Sequence, residues 1–377
     1  MDPVVPQPAA DARVTAVGNN RLVSATEDRA TAAATWSDPA VDPVAPGVWR
    51  IPLPLPGDGL KAVNVYAVAD GDGVTLVDSG WALDVAEREL EGGLAALGLG
   101  LGDIRRFLVT HAHRDHYTEA VAVRRRFGTR VLVGAGERLA IERIITPGHR
   151  AGQSHWALLR RHGGEAVLAA MRAAGAGPEE GDQGYERPDG YIPGGERFAV
   201  GDRTLEDIPT PGHTRGHLVF LDRAAWLLFS GDHVLPHITP SVGFEVDPSR
   251  LALRDYLASL QLIRSLPDAV MLPAHGPPGG SVHARIEALL GHHDVRLDQA
   301  AAALRAGPRT AYEVATELAW TSRQRRFADL DPFNQMLAVL ETALHLNLLA
   351  HRGAVGEQEA DGVVVYAAPP VQEPVGS

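Results

Sequence analysis

Between Thr110 and Tyr117 the chain reads THAHRDHY, which sets His111, His113, Asp115 and His116 within six residues. Imidazole and carboxylate are the side chains that hold zinc and related divalent cations, and this segment is a concentrated source of both. On extended backbone alternate residues point the same way, so His111 and His113 can grip one ion together. The turn that follows can then aim Asp115 and His116 at a second ion. A histidine-rich surface loop is the plain alternative, and it explains a lone histidine better than it explains this cluster.

Three later segments offer matching groups. TPGHTRGH supplies His213 in a Gly-rich turn, FSGDH supplies Asp232, and LPAHGPP supplies His275. Taken singly, a His or Asp beside glycine is often only a turn residue. Their order, each at the end of an apolar run, makes them one set.

Those residues need strands to present them, and the pattern supplies strands. VWRIPLPLP, AVNVYAVAD and VTLVDSG read as β-segments broken by Gly, Pro and Asp. VAERELEGGLAALGL has helical period. RRFLVTHAHRDH reads as a strand running into a loop, EAVAVRRRFG as a helix ended by Gly128, and RVLVG as a buried strand. Residues 137–190 break the alternation with a helical, lid-like insertion. Strands resume at ERFAV, RTLEDIPT, HLVFLD and WLLFSGD, and a helix over SRLALRDYLASLQLIRSL leads to the buried strand AVMLPAHG. The remainder is helical and closes with a short hairpin. The expected fold class is α+β: a four-layer αββα sandwich over 46–282 and a small C-terminal helical, winged-helix-like domain over 283–377. Residues 1–45, rich in Ala, Asp, Thr and Pro, are expected to form a poorly ordered arm.

The ordered set THAHRDH, PGHTRGH, SGDH and PAHG, with LVDSG upstream, resembles the metallo-β-lactamase superfamily from about Val48 to Gly280. The resemblance implies two metal ions at one edge of the sandwich. By it, His111, His113 and His213 hold the first, Asp115, His116 and His275 hold the second, Asp232 bridges both, and Asp78 orders a ligand by hydrogen bonding. Two Zn2+ are expected, with Fe or Mn tolerated by the same ligands. The penicillin-hydrolysing dinuclear enzymes place a cysteine on the second metal, and this chain has no cysteine. Its pattern is closer to the glyoxalase II-like, lactonase and ribonuclease branches.

The missing cysteines also exclude disulfides and thiolate nucleophiles. A net charge of -12 over 377 residues opposes long-range attraction of nucleic acid. The start, MDPVVPQPAADARV, has no basic region leading into an apolar core. No stretch approaches the roughly 18 apolar residues of a membrane span. A cytoplasmic chain that stays off the membrane is expected, with homodimer formation assigned to the C-terminal region. His217 is expected to support its turn, while His233 and His237 are candidates to line the pocket. Trp156, Tyr185 and Tyr191 could grip substrate or simply pack.

The expected activity is dinuclear hydrolysis of a small carbonyl substrate (thioester, ester or lactone) by a metal-bridging hydroxide, with Asp115 and Asp232 orienting it or relaying a proton. The alternative is a single-strand-specific ribonuclease, which would need a basic groove from Arg124, Arg125 and Arg126 or from Arg160 and Arg161. A non-catalytic scaffold is the third reading, weakened by the complete ligand set. Asp232→Ala is expected to lose metal and activity together; retention of both would refute the bridging assignment.

Overall fold

The computed structural model describes residues 36–369 except 58, 151, 178–183 and 322. Its central strands carry apolar side chains on both faces, and those faces sort into different cores. In β3 (Ala62–Asp70), Val63, Val65 and Ala67 pack to one side, while Tyr66 and Val68 pack to the other. A strand buried on both sides must lie in a sheet covered on both sides. The first sheet runs β1 (Asp42–Ala45), β2 (Val48–Pro54), β3, β4 (Gly73–Val77), β5 (Ile104–Val109), β6 (Arg130–Gly134) and β7 (Gly190–Ile192). Its pairs are antiparallel as far as β4 and parallel beyond it. Helices α1 (Asp84–Ala96) and α2 (Arg114–Phe127) cover its outer face through Leu90, Leu94, Tyr117 and Val121.

The segment between β6 and β7 holds α3 (Arg138–Ile144), α4 (Gln153–Arg161) and α5 (Glu165–Ala173). The second sheet comprises β8 (Arg197–Val200), β9 (Arg203–Pro209), β10 (Leu218–Asp222), β11 (Leu227–Gly231) and β12 (Val270–Pro273). Leu218, Phe220, Leu227 and Phe229 face the first sheet, and Val219, Leu221 and Leu228 face outward against α6 (Ala252–Arg264) and α7 (Val282–Ala303). The result is the αββα sandwich.

The tail adds α8 (Ala311–Glu317), the short strand pair β13 (Ala319–Trp320) and β14 (Arg325–Arg326), then α9 (Pro332–His351) and the hairpin of β15 (Gly356–Ala360) and β16 (Val363–Ala367). Local chemistry fixes its joints. Thr310 and Glu313 form a reciprocal capping box at α8, and Asp361-Gly362, both left-handed, make the two-residue hairpin turn. One apolar cluster joins Leu228 and Tyr256 of the sandwich to Val314, Leu346 and Tyr366 of the tail. A second joins Trp156, Leu159 and Leu168 of the insertion to Trp320, Phe327 and Val339. The tail is therefore packed on the sandwich and welded to the insertion.

Two expectations need correction. Asp42–Ala45, placed in a poorly ordered arm, forms β1: buried Arg50 pairs with Asp42 and donates to the Trp36 carbonyl at 2.6 Å, which anchors the segment. Residues 1–35 of that arm lie outside the described residues. Second, α2 begins at Arg114, within the histidine motif and ahead of the expected EAVAV start. Asp115 in its first turn is favoured by the helix dipole. Among the described residues no helix is long and apolar enough to cross a membrane.

Glu119 on α2 is buried and its Oε1 has no hydrogen-bond partner. Burial pushes its carboxyl up to about 8. A raised folded-state value means stability fully present below about pH 4.5 and lost as pH rises through about 8. Thermal unfolding followed from pH 5 to pH 9 is expected to show that loss, and Glu119→Gln should flatten it by up to about 1.4 kcal/mol per pH unit. An unchanged slope would remove Glu119 from the account.

Candidate metal centre

The site forms where strand ends of both sheets meet. Asn64 on β3 donates to the carbonyls of Pro273 and Gly276 at 2.9 and 2.8 Å, and Tyr66 Oη donates to Pro273 at 2.8 Å. Leu218 N donates to Thr110 O at 2.8 Å, which ties β10 to the end of β5. These bonds set the two edges in register before any ligand is considered.

From β5 the chain passes Thr110 and His111, stays extended at His113 (φ -70, ψ 151) and enters α2. His113 thus occupies the N-cap position without a side-chain capping bond, which leaves its ring free for the site, and Asp115 and His116 sit in the first turn. Asp78, at the end of β4, has φ 61, a left-handed conformation that costs a non-glycine residue about 1 kcal/mol or more. In that conformation its Oδ1 accepts from Thr110 N at 2.8 Å and Thr110 Oγ1 at 2.9 Å, and its Oδ2 meets His116 Nδ1 at 3.0 Å. His213 follows β9. Asp232 follows a bulge in β11, where Gly231 takes φ +49 and a β-carbon would stand 2.7 Å from His217 Nε2. His275 follows β12.

Hydrogen bonds on the far side of each ring decide which nitrogen faces inward. His113 Nε2 meets Phe244 O at 2.6 Å and His213 Nδ1 meets Ser241 O at 2.5 Å; a carbonyl only accepts, so those nitrogens carry the protons. The Thr110 hydroxyl donates to Asp78, so its oxygen accepts from His111 Nδ1 at 3.0 Å. The three remaining nitrogens, His111 Nε2, His113 Nδ1 and His213 Nε2, lie 2.9, 3.1 and 3.2 Å apart. That is slightly tighter than the edge of a tetrahedron with zinc–nitrogen bonds, about 3.4 Å. Burial, reinforced by the neighbouring rings, holds His111 well below its usual range, and His113 is lowered to about 3. Both are neutral and offer lone pairs.

A second group stands beside the first. His275 Nε2 is 3.4 Å from both Asp115 Oδ2 and Asp232 Oδ1, and His116 Nε2 is 3.5 and 3.8 Å from the same two atoms. His116 Nε2, His275 Nε2 and Asp232 Oδ1 are buried without a hydrogen-bond partner. Each such atom costs about 1–3 kcal/mol, and a cation among them removes that cost. Burial opposes a charged His116, but Asp115, Asp78 and Asp232 outweigh it and push the imidazole up to about 10. For Asp115 and Asp232 burial favours the neutral acid, yet the surrounding imidazoles hold both below the usual carboxylate range. Asp232 faces both groups, its Oδ2 lying 3.5 Å from His213 Nε2. The donor types, the inward lone pairs and the orphaned atoms all fit metal ions.

The sequence of residues 58–275 matches the family model described as the Metallo-beta-lactamase superfamily. The chain belongs to the metallo-beta-lactamase superfamily. It is 25% identical over 338 residues to the probable metallo-hydrolase YqjP of Bacillus subtilis, an alignment covering 81% of this chain and 92% of that protein. It is 28% identical over 238 residues to the lactamase-like protein nscB of Neosartorya fischeri, covering 63% of this chain and 55% of nscB, so it spans little more than half that relative's length. The crystal structure of a metallo-beta-lactamase family protein from Thermus thermophilus aligns with TM-score 0.71 at 29% identity, covering 86% of this chain and 100% of that one. This is a hydrolase superfamily that binds metal ions, and the His/Asp groups described above could hold them.

All seven residues expected to meet are brought together, with Asp78 behind His116. His217 is fully buried: its Nδ1 meets Thr210 Oγ1 at 2.8 Å and its Nε2 accepts from Asp232 N at 3.1 Å, so both nitrogens are engaged in holding the turn. His233, a candidate for the pocket wall, is wholly buried, its ring packed against Tyr256. Trp156 packs in the insertion core and Tyr191 lies against Arg138. Tyr185 has a part in the site that sequence reasoning did not find: its hydroxyl donates to Ala112 O, between His111 and His113, at 2.9 Å. Phe244 and Ser241 were missed as well, because they act through backbone carbonyls and leave no mark in residue type.

Asp78→Asn leaves one acceptor oxygen and turns an amide donor toward a donor, either Thr110 or His116 Nδ1. The superfamily site is expected to lose roughly 10–100-fold in metal affinity, read by competition with a chromophoric chelator. Wild-type affinity would show that Asp78 does not orient His116.

Proposed function

We propose that the chain is a zinc-dependent hydrolase of a small carbonyl substrate: a thioester, an ester or a lactone. Its two cations are assigned to His111, His113 and His213 and to Asp115, His116 and His275, with Asp232 between them. Imidazole and carboxylate donors without thiolate suit zinc and would also accept iron or manganese. Two such ions would supply a water acidic enough to attack at neutral pH and a Lewis acid for the developing oxyanion. Asp115 and Asp232, kept ionised by the imidazoles around them, are the groups to orient that water and take up its proton. The outward bonds of His113, His213 and His275 keep their rings from turning as the charge moves.

The observation that carries the substrate class is the wall beside His113. The Phe244 ring lies 6.1 Å from the His113 ring, stacks on His155 at 4.5 Å and meets Phe333 edge-on at 6.0 Å. Phe333 is 48% exposed. The two phenyl rings are apolar and burial keeps His155 uncharged, a surface suited to an acyl chain and poorly suited to a phosphodiester backbone. The arginines a ribonuclease would use are paired with carboxylates: Arg124 and Arg125 with Glu186, Arg126 with Glu87, Arg160 with Glu165 and Arg161 with Glu359.

The test is thiol release from acyl-CoA and acyl-glutathione thioesters, with ester and lactone hydrolysis measured alongside. Hydrolysis is expected to stop with chelator, return with Zn2+, and lose acyl-chain preference in Phe244→Ala. A metal-loaded enzyme that leaves all three classes intact but cleaves single-stranded RNA would replace this reading with the phosphodiesterase one.

A further inference from the structure

Glu137 ends the short turn Ala135–Glu137 after β6 and is 1% exposed, yet it belongs to none of the ligand motifs. Its carboxylate accepts from the Thr214 hydroxyl and from the backbone N–H groups of Ala112 and Gly216. Ala112 lies between His111 and His113, and Thr214 follows His213. One carboxylate therefore holds both loops that carry the three-histidine group. Ala112 is held on its other side too, since its carbonyl accepts from Tyr185.

The glycines around Glu137 show how close these backbones run. A β-carbon on Gly216 would stand 2.2 Å from Glu137 N, one on Gly134 2.0 Å from Gly216 O, and one on Gly136 2.6 Å from Arg215 O. Side chains are excluded at three positions so that the two loops can share one buried acceptor. The second ligand group is anchored elsewhere, His116 by Asp78 and His275 by the Ala62 carbonyl.

We infer that Glu137 is a positioning residue that sets the separation of His213 from His111 and His113, and so tunes one of the two metal sites without touching the metal. The inference rests on the metal-site reading above. Three donors converge on a group with two acceptor oxygens, and an amide in its place would satisfy fewer of them while turning its own N–H2 toward a donor.

The experiment is stepwise Zn2+ titration of the full chain against a chromophoric chelator, for wild type and Glu137→Gln, with the ligand-field spectrum of the Co2+-loaded forms. In Glu137→Gln one cation is expected to weaken about 10- to 100-fold while the other keeps its affinity, with altered Co2+ bands. Thr214→Val, which removes one donor only, should weaken the same cation about threefold to tenfold. Two cations held at wild-type affinity in a folded Glu137→Gln, equal weakening of both, or failure of both variants to fold would each overturn the inference. A wild-type chain that binds no Zn2+ would instead sink the metal-site reading itself, and this inference with it.

Discussion

Three imidazole lone pairs pointing at one another across 2.9 to 3.2 Å repel, and nothing in the rings themselves favours that arrangement. The polypeptide must hold it by outward hydrogen bonds, and those bonds determine much of the surrounding structure. Phe244 and Ser241 have to present carbonyls from the loop after β11. Thr110 has to donate its hydroxyl hydrogen bond to Asp78 so that its oxygen can accept from His111. Asp78 takes a left-handed backbone to serve Thr110 and His116 together. Its strain of about 1 kcal/mol or more is offset by several hydrogen bonds to a buried carboxylate, each contributing about as much.

The same constraint explains the division between the two ligand groups. His111, His113 and His213 are kept neutral chiefly by burial, with neighbouring imidazoles, His116 among them, adding to it. His116 and His275 sit against carboxylates and are pushed up instead. A cation entering the first group meets free lone pairs, whereas one entering the second must displace protons. Asp232 faces both groups and so couples them.

The outer parts of the chain serve the pocket more than the ligands. Insertion helices α4 and α5 would bury little alone, but against Trp320, Phe327 and Val339 they form a core that supports His155 and Phe244 beside the site. The arginine-rich end of α2 looks like a basic patch in one dimension. In three it is neutralised by Glu186, brought from sixty-odd residues away, and by Glu87 on α1.

The ligand types, their order and the strands before them were legible because each depends on local pattern: alternation, turn residues, and imidazoles spaced along extended backbone. The layer order followed from the same periodicities. The pairing of Asp42 with Arg50 that draws β1 into the sheet was not legible, and neither was the start of α2 inside the histidine motif. Glu137 carries no signal in the sequence, and Tyr185 stands out only as an aromatic that could grip substrate or pack, until folding sets them on either side of Ala112. By itself, then, the sequence determined the αββα architecture and the donor types of the candidate site, since both are written in residue type and short-range spacing. Only the tertiary structure decided which nitrogen of each ring faces inward, what holds the loops apart and which carboxylates the arginines meet. Those depend on contacts between segments distant in the chain, often through backbone atoms that every residue shares.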